Sequence, residues 1–301
     1  MEQLINTLFN GISLSSIILL TSLGLAITFG LMKVINMAHG EFLMIGAYMT
    51  FVMQQIFVKF FPEGVRDIYY FAAIPFAFLV TFLLGSLLER FVISRLYGRE
   101  IDSLLATWGI SLILQQAARS IFGTQGVNVN APSFLNGGIT IGGCTFSYNR
   151  LFIIVMVALC LFLVWLIMYK SNFGKQMRAV MQNRTMAQCM GINSRRVDNI
   201  TFAIGSGLAG IAGCSVALLG SIDSTVGQSY IVNSFMAVVL GGVGKLLGTV
   251  IGSTIIGSAS IFTEHYTSST IAKAIVLLIA IVFLQKRPQG LFVIKSRSLD
   301  E

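Results

Sequence analysis

Apolar positions in this chain neither alternate nor keep to one helical face; they run on for whole stretches. Nine such stretches stand out, at about 7–31, 40–58, 69–93, 103–122, 150–169, 197–220, 229–243, 247–263 and 269–285. As α-helix, roughly 20 apolar residues match the hydrocarbon thickness of a bilayer. Strands of a membrane barrel would instead alternate in short pieces. The pattern predicts an all-α, polytopic transmembrane helical bundle of about nine membrane segments, some of them broken or half-length. Residues 1–301 are read as a single membrane domain.

Composition removes the soluble alternative. Hydrophobic residues make up 55 % of the chain and charged residues 11 %, against about a quarter charged in soluble domains. Mean hydropathy is +0.83. The net charge of +8 would suggest nucleic acid in a soluble protein, but here the basic residues sit in particular connections. One holds Arg90, Arg95 and Arg99; a second, at 170–196, holds Lys170, Lys175, Arg178, Arg184, Arg195 and Arg196; the tail holds Lys286, Arg287, Lys295 and Arg297. That distribution points to topology and lipid headgroups, not nucleic acid. The positive-inside rule puts these three regions and the C-terminus in the cytoplasm, and the connections near 59–68 and 123–149 outside. Nine crossings then leave the N-terminus outside, and a re-entrant segment would change that parity. Met1-Glu2-Gln3-Leu4 lacks the basic start of a cleaved signal, so the first apolar run is expected to remain as a span. Cys144, Cys160, Cys189 and Cys214 show no paired spacing, which argues against a disulfide framework or a CxxC site.

Candidate chemistry begins where two apolar runs meet. Asn36, His39 and Glu41 fall within six positions there. Polar groups between membrane-length segments read either as the lining of a transport path or as a solvated surface loop. Glu41 is the costliest of the three to bury, and a structural pair with Lys33 is its alternative. A second interruption, at 227–249, is short and broken by glycines. Paired broken helices point to a mid-membrane site in transporters, and 40–46 bears a faint likeness to 248–253. The stretch 174–193 reads as an amphipathic helix, too polar to cross. Met177, Val180 and Met181 share one face, and Met186, Cys189 and Met190 another. The change near Asn183-Arg184 predicts a bend or two short helices. Gly191 suits a C-terminal cap, and Asn193 or Ser194 an N-terminal one. Such a segment either lies on lipid or makes an adaptable methionine-rich contact with a protein. Residues 139–146 alternate around Gly142-Gly143, which suggests a small hairpin: a docking surface, or a lid packed on helix ends.

Catalytic signatures do not appear. Gly244-Lys245 would need glycine at 239 and Ser or Thr at 246 to be a phosphate loop, and Val239 and Leu246 stand there. His39 and His265 have no zinc-site spacing, and no GxSxG pattern occurs.

With 34–48, 174–193 and 239–252 taken together, the chain resembles the membrane permeases of ATP-driven importers of the branched-chain amino acid type, nearly end to end. The resemblance implies that the inner segment docks on an ATP-hydrolysing subunit, through Met177, Arg178, Met181, Arg184, Met186, Met190 and Gly191. It implies no cofactor on this chain, with ATP and Mg held by two partner ATP-binding subunits. It further implies a homologous second permease subunit, giving a heterodimer, a periplasmic solute-binding protein, and residence in a bacterial cytoplasmic (inner) membrane. Within the family, 104–112, 227–236 and 285–292 resemble the urea permease subunit; Lys245 departs from the uncharged polar residue expected there. Urea is small, neutral and planar, so its path needs opposed amide, hydroxyl or carboxylate groups. Candidates are Asn36, His39, Glu41, Thr107, Gln115, Gln116, Gln228, Tyr230 and Asn233, with Trp108 as an aromatic wall. The structural alternatives are that Thr107 and Asn233 bond backbone, that Gln115 and Gln116 join helices, and that Trp108 anchors at the interface. A permease for branched-chain amino acids or short amides, and a stand-alone channel or carrier, are the competing functions; a membrane enzyme has no constellation behind it.

Overall fold

The computed structural model describes residues 2–32, 34–141, 144–287 and 290–292. Eleven helices lie among them: α1 (Glu2–Met32), α2 (His39–Phe60), α3 (Tyr69–Phe91), α4 (Glu100–Phe122), α5 (Tyr148–Lys170), α6 (Asn172–Gln182), α7 (Arg184–Cys189), α8 (Ser194–Ala217), α9 (Val226–Gly241), α10 (Leu246–Tyr266) and α11 (Ser269–Lys286). Nine of them coincide with the nine apolar stretches, and the other two are the short helices of the amphipathic segment. The protein is therefore a helical membrane bundle. Seven helices are long and apolar enough to cross a bilayer: α1, α2, α3, α5, α8, α10 and α11. The remaining two of the nine are α4, which carries Glu100, Asp102, two glutamines and Arg119, and α9, which has 16 residues.

The bundle closes around α8. Every residue from 205 to 217 is buried, and the helix packs on α1, α2 and α3. Small residues let backbones meet. A Cβ built on Gly46 of α2 would stand 2.1 Å from the carbonyl oxygen of Gly210 on α8, so only glycine permits that crossing. The main apolar core joins Leu20 and Ile27 of α1, Phe42 of α2, Val157 of α5 and Phe202 of α8.

The connections sort into two ends. At one, the hairpin of β1 (Gly138–Ile141) and β2 (Cys144–Ser147) pairs Ile139 with Phe146. Phe146 sets its ring edge against Phe9 of α1 at 4.9 Å, so the hairpin packs on a helix end. Its turn residues, Gly142 and Gly143, lie outside the described residues. Val127 bridges Ile222 nearer the same end. The opposite end gathers the α3–α4 connection, the α6–α7 segment, the α9–α10 turn and the chain after α11. Tyr97 reaches Met32 and Glu89 there, and Leu291 donates to the Leu240 carbonyl at 2.9 Å. The three basic regions thus share one end; Lys295 and Arg297 fall outside the described residues.

Helix α2 starts inside the bundle. His39 meets the Thr21 carbonyl, near the middle of the apolar span Thr7–Met32. At about 1.5 Å per helical residue, Thr21 to Met32 is about 16 Å; the seven residue steps from Met32 to His39 cover it when extended at about 3.3 Å each. The link at 34–38 therefore climbs back alongside α1. A Cβ on Gly40 would stand 2.5 Å from the Gly227 carbonyl oxygen, so the first turns of α2 and α9 meet at that depth.

Candidate functional site

An irregular link inside an apolar bundle must find partners for its peptide groups. Two predicted path residues supply them. Asn36 accepts through Oδ1 from the Ala38 N–H at 3.0 Å, and Thr107 accepts through Oγ1 from the Met37 N–H at 3.1 Å. His39 donates from Nε2 to the Thr21 carbonyl at 3.0 Å, pinning the first turn of α2 to α1.

Glu41 is 1 % exposed. Its Oε1 accepts from the Ser111 hydroxyl and from the Gln115 amide, each at 2.8 Å, and Gln115 also donates to Ser111 at 3.2 Å. These partners belong to a stripe on α4, with Thr107, Ser111, Gln115 and Arg119 at steps of four. Residues so spaced share a helix face. Arg119 continues the stripe and donates to Ser224 Oγ at 2.8 Å. Three buried polar atoms of this cluster have no partner among the described residues: Asn36 Nδ2, His39 Nδ1 and Glu41 Oε2. Buried polar atoms are normally satisfied, so three without partners within six residues at the start of α2 mark this stretch as a candidate polar site. The proposed Lys33 partner of Glu41 lies outside the described residues, and Glu41 is bonded to a hydroxyl and an amide.

The structure divides the predicted path set. Asn36, His39, Glu41, Thr107 and Gln115 come together. Gln228, Tyr230 and Asn233 do not join them; they line two clefts beside α11. One, of about 380 Å³, holds Gln228, Asn233 and Lys273; the other, of about 160 Å³, holds Tyr230, Asn233, Glu264 and Lys273. Trp108 is apart from both, 53 % exposed on the outer face of α4, and Gln116 is exposed as well. Sequence reasoning missed Ser111, Glu264 and Lys273. The four-residue period through Thr107 and Gln115 would have found Ser111; nothing local marks the other two.

The amphipathic segment forms α6 and α7, parted at Asn183. Ser171 caps α6 through the Gly174 N–H at 3.0 Å, Asn183 caps α7 through the Met186 N–H at 3.0 Å, and Asn193 caps α8 through the Arg196 N–H at 3.2 Å. Gly191 has φ +82°, while the Ile192 N–H reaches the Ala187 carbonyl and the Gly191 N–H the Gln188 carbonyl: a Schellman ending of α7. The predicted docking residues split by direction. Met177 is buried in the bundle core, Met181 lies beside the contact of Gly30 with Gly244 at the bundle end, Arg178 donates to the Met168 carbonyl, and Arg184 to Asp198. Met186 and Met190 point away, 61 % and 77 % exposed, with Gly191 exposed beside them. Among the described residues no group of three His, Cys, Asp or Glu side chains gathers to hold a metal.

Comparison with known proteins agrees with this architecture. Residues 7–284 match the family described as "Branched-chain amino acid transport system / permease component". The chain is 28 % identical over 291 residues to the high-affinity branched-chain amino acid transport system permease protein BraD of Pseudomonas aeruginosa, covering 94 % of each. It is 28 % identical over 293 residues to the permease protein LivH of Escherichia coli, again covering 94 % of each. A probable branched-chain amino acid permease of Methanocaldococcus jannaschii is 27 % identical, over 92 % of this chain and 89 % of that one. No solved structure matches significantly. A nine-segment bundle with a polar site at half depth and an amphipathic α6–α7 segment at one end is thus the form taken here by a chain that belongs to the family of branched-chain amino acid transport system permease components.

Proposed function

We propose that this chain forms the solute passage of an ATP-driven importer and is moved by partner subunits that grip α7. The observation that carries the reading is the pair Met186 and Met190, held outward on a capped, two-turn helix. Exposed flexible apolar side chains suit an adaptable protein contact. The sequence has no phosphate-loop motif, so ATP and Mg belong to two ATP-binding subunits. A homologous second permease completes a heterodimer, and a solute-binding protein delivers cargo from outside. The end holding α6–α7 and the basic connections faces the cytoplasm, and the hairpin end faces outward, in the cytoplasmic membrane.

The solute is a small, uncharged polar molecule, and urea fits the site at Glu41. A carboxylate bonded to a hydroxyl and an amide accepts N–H groups, which urea supplies in two amino groups. The ammonium of an amino acid would also find Glu41, but among the described residues the nearest cation on the stripe, Arg119, is bonded to Ser224 and not to Glu41. Branched-chain amino acids are the second reading, favoured by what the names of the relatives say they carry. Uptake of urea against leucine by the assembled complex in proteoliposomes separates the two. ATP-dependent uptake of urea alone supports the first, uptake of leucine alone the second. Uptake of either by this chain without partners refutes the importer.

A further inference from the structure

The end of the bundle that carries α7 also buries two carboxylates and holds one half-buried guanidinium against them, none of which the passage uses. Asp198, on the first turns of α8, is fully buried and accepts from Arg184, the first residue of α7. The Arg184 guanidinium lies over the Tyr97 ring, 4.9 Å from its centroid. Tyr97 donates to Glu89 Oε1 at 2.7 Å, and Glu89, buried on the last turn of α3, accepts on Oε2 from Asn199 of α8 at 2.7 Å. The chain of contacts closes on itself: α7 to α8, α8 to α3, α3 to the Tyr97 connection, and back to α7. Burial, and then the bond to Glu89, raise the Tyr97 phenol well above its usual range, so it remains a donor. Gln188 donates to Ser194 Oγ at 2.6 Å and ties the far side of α7 to the start of α8.

A cluster of two buried carboxylates and one half-buried guanidinium is a poor device for stability, since apolar side chains of similar volume often serve as well. It is a good device for fixing direction, because a guanidinium clamped between a carboxylate and an aromatic face has little freedom left. What it fixes is the angle of α7 on α8. Beyond it, α8 meets α2 backbone to backbone at Gly210 and Gly46, with no side chain between to absorb a displacement, and the first turn of α2 holds Glu41. We propose that Arg184 and Asp198, braced by Tyr97 and Glu89, are a positioning pair that makes α7 and α8 move as one body and carries motion of the docking segment to the polar site. The proposal rests on α7 being the segment that the ATP-binding subunits grip.

The test uses the complete complex in proteoliposomes and reads three quantities: retention of ATP-binding subunits, ATP hydrolysis, and solute taken up per ATP. Arg184→Ala and Asp198→Asn are expected to keep the subunits and hydrolysis while uptake per ATP falls about tenfold, an ordinary size for a coupling between sites. The exchanged pair, Arg184→Asp with Asp198→Arg, is expected to recover part of that loss. An unchanged ratio in the single variants, or an exchanged pair no better than either, overturns the proposal. Loss of ATP-binding subunits from Arg184→Ala overturns it as well, because Arg184 would then belong to the docking surface. Tyr97→Phe removes one oxygen and covers the case in which the charge variants fail to accumulate. It is expected to lower the ratio about threefold, and no change overturns the proposal. Failure of the docking reading shows separately, as ATP-binding subunits that stay on a Met190→Asp complex.

Discussion

Glu41 and Thr107 separate two kinds of buried polar residue. Replacing Glu41 with Gln keeps the volume and an acceptor for Ser111 and Gln115 but removes the charge that a solute would meet. Hydrogen bonds to a charged group are worth about 1.5–3 kcal/mol, so uptake is expected to fall about ten- to hundredfold in proteoliposomes, with the purified complex intact by gel filtration. Unchanged uptake assigns Glu41 to the scaffold. Thr107→Ala acts elsewhere, leaving the half-buried Met37 N–H without its acceptor. A loss of about 1–3 kcal/mol in stability should appear as a lower unfolding temperature, with uptake per folded molecule little changed. The sequence exposed Asn36, His39 and Glu41 as a group because such residues are costly between apolar runs. It did not distinguish their tasks. Asn36 and Thr107 hold a link whose path depends on α1, and residues so distant along the chain leave no local signature.

At the scale of helices, α6 and α7 carry opposite assignments for chemically similar side chains. Met177→Asp puts a carboxylate into the core beside Ile27 and Met168, which costs more than a marginally stable bundle holds in reserve. Immunoblots of membranes are expected to show the chain nearly absent. Met190→Asp, on an exposed surface, should leave the amount of inserted chain unchanged and abolish co-purification of the ATP-binding subunits; normal co-purification contradicts the docking surface. The break at Asn183 and the caps at Gly191 and Asn193 were legible because capping is local chemistry, written within three or four residues. The inward face was not. Both halves of the segment show a methionine stripe, and only the positions of α1, α5 and α8 decide which one is buried.

For the molecule as a whole, the apolar runs marked nine of the eleven helices, seven of which are long and apolar enough to cross a bilayer. The internal start of α2 stayed hidden, because the apolar run resumes at Phe42 as though a new crossing began at the surface. The two-ended arrangement follows from charge: every strongly basic connection among the described residues lies at the α7 end. Under the proposed function, these features describe a passage with a polar waist and an external engine. Proteoliposomes containing the complete complex, with the ATP-binding subunits either active or blocked in hydrolysis, test that description most directly when compared with vesicles holding this chain alone. Solute should accumulate only with active hydrolysis and remain outside in the other two preparations. Entry down a gradient through this chain alone, at the rate of the complete complex, would contradict it.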